Sequence, residues 1–151
     1  GGRGMAAGSA AALARAGARV TLLARNADEL GATAIAIGRT TVTVTADVTD
    51  PAQVQRAFAE AREAAGPIDI LVNNAGLAKS RPLAKTDEAF WRTILEVNLT
   101  GAYHCARAVL PAMLAANRGR IVNVASTAGL RGYAYCTAYC AAKHGLVGFT
   151  R

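Results

Sequence analysis

A doubly wound α/β fold, with helices on both faces of a parallel sheet, is predicted by three features of the sequence. Short β-branched apolar runs recur along the chain, helical patterns separate them, and neither an internal repeat nor a low-complexity linker interrupts the alternation. Strands covered on both faces read as near-continuous apolar runs, and their alternation with helices places the helices on both sides of a parallel sheet. One domain over 1–151 follows.

"GGRGMAAG" (1–8) is a glycine-rich turn opening a helical pattern over 5–16. Glycines let backbone approach a pyrophosphate closely, and a helix N-terminus offers unpaired N–H groups and partial positive charge. Taken alone, the stretch equally fits a flexible Gly-rich terminus. Such a turn normally follows a strand, and here no residues precede it, so the sheet is expected to be incomplete, with its first strand absent. "ARVTLLA" (18–24), "TTVTVTA" (40–46), "IDILVNNA" (68–75) and "GRIVNVAS" (119–126) read as buried strands. Helical patterns cover 27–37, 51–65 and 87–116, and another starts near 137. Asp50-Pro51 supplies an acceptor at an N-cap and Pro at N1. Phe58 follows Val54, and Ile94 follows Phe90, at the spacing of a core-facing stripe. "GLVGFTR" (145–151) stops while its helical pattern is still running, so the carboxyl-terminal strands are also expected to be absent.

Composition excludes several classes. Of 151 residues, 52% are hydrophobic and 18% charged, enough for a real core, and no apolar run reaches membrane-span length. No signal-peptide core is visible at the start. Three cysteines without framework spacing argue for free thiols in a reducing compartment, hence a cytoplasmic location. The net charge of +7 raises a nucleic-acid reading. Against it, Arg15, Arg39, Arg56, Arg62, Arg92 and Arg107 are scattered over different segments, and aromatics make up only 5%.

Four constellations carry chemistry. The first is the turn at 1–8, with Arg3 inside it. The second ends "VTLLARN" (20–26): where a dinucleotide fold usually places an acid for the ribose 2′-OH, this chain has Ala24 and Arg25. A guanidinium there suits a 2′-phosphate, with Arg3 as a second clamp, or is simply a surface residue after a strand. The third is "NNAG" (73–76), two amides and two small residues at a strand's carboxyl end, where ligands bind in open α/β sheets or where Asn-Asn closes a turn. The fourth joins Ser126, after a strand, to Tyr139 and Lys143 on the next helix. Residues four apart share a helix face. A phenol ordinarily titrates near pH ~10, and an ammonium one turn away favours the phenolate that proton transfer needs. A serine hydroxyl can then orient a carbonyl between itself and the tyrosine.

Together these residues resemble the short-chain dehydrogenase/reductase family over essentially the whole chain. The resemblance rests on "NNAG", on Ser126 thirteen residues before Tyr139, and on Tyr139-x-x-x-Lys143. It implies a Rossmann-like fold and a ketone–alcohol oxidoreductase, with Tyr139 as general acid/base and Lys143 as its modulator and ribose anchor. Ser126 would position substrate, and Asn98 in "VNLTG" would link Lys143 to a proton-relay water. Asp47-Val48 resembles the pair that contacts adenine, and Asn74-Ala75-Gly76 the segment beside the adenosine ribose. In the family's phosphate turn, Gly4 matches the second glycine, Met5 the hydrophobic residue, and Ala6 replaces the third glycine. Arg3 and Arg25 occupy both positions where basic residues accompany NADP(H), with NAD(H) as the other cofactor. The stretch 126–151 is similar to members acting on 3-ketoacyl or 3-hydroxyacyl thioesters, and homo-oligomers (dimer or tetramer) commonly form through the helices covering 100–116 and starting near 137.

Two rivals compete with this reading. Cys136, Cys140 and His144 share a helix face, but structural zinc takes four ligands and only His104-Cys105, on another helix, offers more. Small buried hydrophobes account for the cysteines, and no metal, nucleic-acid or membrane partner is expected. The other rival is a catalytically inert nucleotide-binding or interaction fragment of such an enzyme. A complete domain of this type needs roughly a hundred more residues. The missing strand is expected to leave the strands at 18–24 and 68–75 either paired directly or separated by a gap, in a fragment that is weakly stable and inactive.

Overall fold

The computed structural model describes residues 4–38 and 41–151. Arg3 therefore lies outside the described residues. Helix α1 (Met5–Arg15) precedes strand β1 (Val20–Ala24), then α2 (Ala27–Ile37), β2 (Thr41–Thr45), α3 (Pro51–Ala65) and β3 (Ile70–Asn73). Helix α4 (Glu88–Leu95) runs through a π-helical turn (Glu96–Thr100) into α5 (Gly101–Ala115), followed by β4 (Arg120–Asn123) and α6 (Thr137–Thr150). The helix expected over 87–116 is thus interrupted, and the strands are two or more residues shorter than their apolar runs. At β4 the physical reason is visible. Pairing stops at Asn123, and Ser126 already caps a short 3-10 turn over Thr127–Gly129.

The strands pair in parallel, as expected, but in two separate two-stranded sheets, β1–β2 and β3–β4. The registers run from Val20↔Thr41 to Ala24↔Thr45, and from Ile70↔Arg120 to Asn73↔Asn123. Of the two arrangements considered above, the gap is the one found: among the described residues no ladder joins β1 to β3.

Packing bridges what hydrogen bonding does not. Val54 and Phe58 of α3 meet Leu71 of β3 and Cys105, Val109 and Met113 of α5, and Leu23 of β1 packs against the same cluster. Val20 and Leu22 point to the other face, where Ala10 and Leu30 from α1 and α2 cover them. The two faces of β1 therefore carry helices on both sides, which is the doubly wound arrangement. Burying a side chain the size of Val54 or Phe58 stabilises by about 1.5–3 kcal/mol. Helix α3 starts where Asp50 accepts from the N–H groups of Ala52 and Gln53 at 2.9 and 3.1 Å, a cap of about 1 kcal/mol. No helix among the described residues is long and apolar enough to cross a membrane.

Candidate active site

The chemistry-bearing residues of the second half gather at the carboxyl ends of β3 and β4. Asn98 sits in the π-helical turn, 1% exposed. Such a turn widens the helix by one residue per turn and re-aims the side chain it carries. Asn98 Oδ1 accepts from the Leu77 N–H at 3.1 Å, while Nδ2 donates to the carbonyls of Leu77 and Ile94 at 3.0 and 2.9 Å. The amide thus pins the loop that follows "NNAG" to the helix that follows it. A Cβ at Gly76 would lie 3.1 Å from Asn98 Oδ1 and 3.8 Å from Lys143 Nζ. A side chain there would crowd the Asn98 amide, so glycine lets those two groups and the loop converge on one space.

Lys143 reaches that space from α6. It is 4% exposed, its Nζ donates to the Val124 carbonyl at 2.8 Å, and it lies 5.8 Å from the centroid of the Tyr139 ring. Burial holds its ammonium below the usual lysine range. Tyr139 is half-buried one turn earlier. Ser126 follows β4, and its Oγ accepts from the Ala128 N–H at 3.1 Å, which leaves the hydroxyl proton to donate. Its turn lies hard against α6, since a Cβ at Gly129 would come within 2.7 Å of the Lys143 carbonyl oxygen.

Asn74 is half-buried and Ala75 exposed in the loop beside Gly76. The preceding Asn73 is structural. Its Nδ2 donates to Asn123 Oδ1 across the β3–β4 register at 2.8 Å, a cross-strand amide ladder that holds the two strand ends together.

A second group forms where β1 and β2 end. Asp47 Oδ1 accepts from the N–H and hydroxyl of Thr49 at 2.9 and 2.8 Å, and Arg25 Nη1 stands 3.6 Å from Asp47 Oδ2. Burial pushes the Asp47 carboxyl up, but the Thr49 bonds and the Arg25 charge outweigh it and hold it below the usual range. The Arg25 side chain is 70% exposed beyond this loose pair. Val48 follows in the same turn, half-buried. Gly4 caps α1 at φ 61°, in the glycine-favouring region, and Met5 begins the helix exposed.

One further element leaves no mark in the sequence. The Arg81 N–H donates to the Tyr135 carbonyl at 2.7 Å, zipping the loop after β3 to the loop before α6, and Tyr135 adopts φ 62° to accept it. A non-glycine residue in that region stores strain. Two side chains of the cysteine–histidine stripe are otherwise engaged. Cys140 Sγ points at the Arg131 carbonyl and His144 Nδ1 at the Cys140 carbonyl. Buried Cys105 has its thiol pushed up to about 11. A cavity of about 300 Å³ lined by Arg62, Ile68, Val109, Met113 and Arg118 lies at the opposite, amino-terminal ends of β3 and β4 and holds none of the groups above.

A family profile described as short chain dehydrogenase matches residues 1–151. The chain is 44% identical over 142 residues to inactive 2-(S)-hydroxypropyl-CoM dehydrogenase 2 of Xanthobacter autotrophicus, covering 94% of this chain and 62% of that one. It is 36% identical to the 3-oxoacyl-(acyl-carrier-protein) reductase FabG of Escherichia coli, covering 99% of this chain and 61% of the reductase. The crystal structure of F189W actinorhodin polyketide ketoreductase with NADPH superposes with a TM-score of 0.96 at 36% identity, over 99% of this chain and 59% of the other. The chain thus spans about three fifths of the length of these relatives.

Proposed function

The chain belongs to the short-chain dehydrogenase family, and from that premise we propose that the protein carrying it is an NADP(H)-dependent oxidoreductase that interconverts a ketone and a secondary alcohol. The substrate class we assign is a 3-ketoacyl/3-hydroxyacyl thioester. The observation that carries the reading is the convergence of Asn98, Gly76 and Lys143 Nζ beside the Tyr139 ring, at the carboxyl ends of parallel strands.

The residues present fit a nicotinamide dinucleotide. Gly76 keeps open a space that a Cβ would fill, Gly4 begins α1 in a conformation suited to glycine, and Arg25 extends an exposed guanidinium past Asp47. Gly4 and Met5 would hold the pyrophosphate end, Asp47 and Val48 the adenine, Arg25 and Arg3 a 2′-phosphate, and Asn74, Ala75, Gly76, Tyr139 and Lys143 the riboses. That the solved ketoreductase carries NADPH supports this assignment. When bound, the nicotinamide supplies or accepts the hydride.

The chain's own residues handle the proton. In the reducing direction Ser126 Oγ–H donates to the substrate carbonyl oxygen and orients it toward Tyr139. Tyr139 Oη gives its proton to that oxygen as negative charge develops, and becomes a phenolate. The Lys143 ammonium favours the phenolate electrostatically, and its bond to Val124 fixes where that charge sits. Asn98 holds the loop after "NNAG" at its distance from Lys143 and would place the water that returns a proton.

Solution assembly and location follow the same reading: a homo-oligomer through the α5 face bearing Tyr103, Leu110 and Leu114, the last 70% exposed, in the cytoplasm. Tyr139→Phe in the full-length protein tests the mechanism. Loss of acid catalysis is expected to slow NADPH-dependent reduction of a 3-ketoacyl thioester about 10²–10⁴-fold, with cofactor affinity kept. Unchanged turnover in that variant would remove Tyr139 from the reaction.

A further inference from the structure

His104 takes no part in the proton chemistry, yet it is tied to the cofactor side of the molecule. Its Nδ1 lies 3.0 Å from the carbonyl oxygen of Val48, between α5 and the turn after β2. A carbonyl can only accept, so Nδ1 carries the proton, and the bond is made by the Nδ1–H neutral ring and by the imidazolium alike.

The rest of the turn is shaped from within and from α3. The Asp47 N–H donates to Gln53 Oε1 at 3.1 Å, and Gln53 Nε2 donates to Asp50 Oδ2 at 2.9 Å. Helix α5 grips the same turn independently. A Cβ at Gly101 would lie 2.7 Å from Val48 Cγ2, so the first turn of α5 touches the valine side chain, and Val48 packs against the cluster that contains Cys105 and Val109. Side chain and carbonyl of Val48 are thus both held by one helix. That helix continues directly from the π-helical turn carrying Asn98, six residues before His104.

We infer that His104 is a positioning residue for the adenine-contacting turn: it fixes the Val48 carbonyl to α5, and so sets the Asp47-Val48 edge at a constant distance from Asn98. The inference rests on the oxidoreductase reading, in which Asp47 and Val48 meet the adenine. Sites held by rigid elements keep their geometry better than sites held by loops alone, and here the rigid element spans from the catalytic amide to the adenine turn.

The test compares His104→Leu with His104→Asn in the full-length protein. Asn places a donor nitrogen where Nδ1 was, and Leu does not. Leu is the better helix former, so a role confined to the stability of α5 ranks Leu above Asn, while the positioning role ranks them the other way. His104→Leu is expected to weaken NADPH and ADP-ribose alike by about three- to tenfold, the worth of one hydrogen bond, with kcat at saturating cofactor within about twofold. His104→Asn is expected to stay near wild type in both titrations. Wild-type affinity in His104→Leu, or equal losses in the two variants, overturns the inference and leaves the oxidoreductase reading intact. A wild-type protein that binds neither NADPH nor ADP-ribose overturns the reading itself, and the role of His104 with it.

Discussion

Lys143 Nζ donates to the Val124 carbonyl at 2.8 Å, fastening the middle of α6 to the end of β4. The bond joins the helix that carries Tyr139 to the strand end that leads into Ser126, so one contact sets the relation between the two groups a carbonyl substrate would meet. It is made by a nearly inaccessible ammonium, which costs stability that the carbonyl and the Tyr139 ring only partly return.

That cost has a pH signature. Burial lowers the Lys143 pKa below its ordinary 10.5, so on raising pH the folded protein releases this proton before the unfolded chain does. The unfolded state then binds more protons, and stability rises with pH through the window from the lowered value to 10.5. Below that window the penalty is fully present. Lys143→Met removes the titration. In the cofactor-free protein, urea unfolding followed by fluorescence of the single tryptophan, Trp91, is expected to show wild type gaining on Lys143→Met as pH rises toward 10.5. Parallel stability curves would rule this out.

Asn98→Leu is expected to destabilise far more than a volume-matched swap suggests. Leucine fills the space but leaves the Leu77 N–H and carbonyl without the amide that now satisfies both. Each such group, if buried, costs about 1–3 kcal/mol, for a total of about 2–6 kcal/mol. Denaturant midpoints at unchanged m-value give the number. A loss under about 1 kcal/mol would mean that water reaches the loop and replaces Asn98.

These cases show what the sequence made legible. Alternating apolar runs and helical stripes gave the order of elements, because period is a local property. Asp50-Pro51 marked a helix start since a cap is chemistry of adjacent residues. That Tyr139 and Lys143 share a helix face was readable because residues four apart meet there. The π-helical turn under Asn98 was not, since "EVNLT" continues a helical pattern and the extra residue shows only in the hydrogen bonds. Neither was the Arg81–Tyr135 bridge, in which two loops far apart in sequence exchange backbone groups that any residue possesses. His104 stood out only as a ligand type, while its carbonyl partner lies 56 positions away.

In the proposed reading, cofactor choice turns on Arg25. Its pair with Asp47 is loose and solvent-exposed, so the arginine contributes little to stability there and its charge is available to a 2′-phosphate. Arg25→Ala is expected to weaken NADPH binding about tenfold or more, as for a lost charge-assisted bond, while NADH affinity changes far less. Nicotinamide fluorescence titrations of both cofactors measure the ratio. Equal losses for NADPH and NADH would show that Arg25 supports the fold of the turn rather than a phosphate.

The two half-sheets make the last prediction. Each of β1 and β3 is paired on one side only among the described residues, although Leu23 and Leu71 share one apolar cluster that holds the halves together. Among the described residues, the amides of β3 that face away from β4 have no ladder partner, so packing protects them without a ladder. In residues 1–151 expressed alone, hydrogen exchange is expected to alternate along β3, fast at the amides facing the gap and slower at those in the β3–β4 ladder. The same amides are expected to slow in a protein of the relatives' full length, where a strand can occupy the gap. Each buried group left unpaired costs about 1–3 kcal/mol, so residues 1–151 alone should also unfold at lower denaturant and turn over ketone weakly or not at all. Uniform slow exchange across β3 in the short chain would show the gap closed in solution, and with it this account of the weakness would fail.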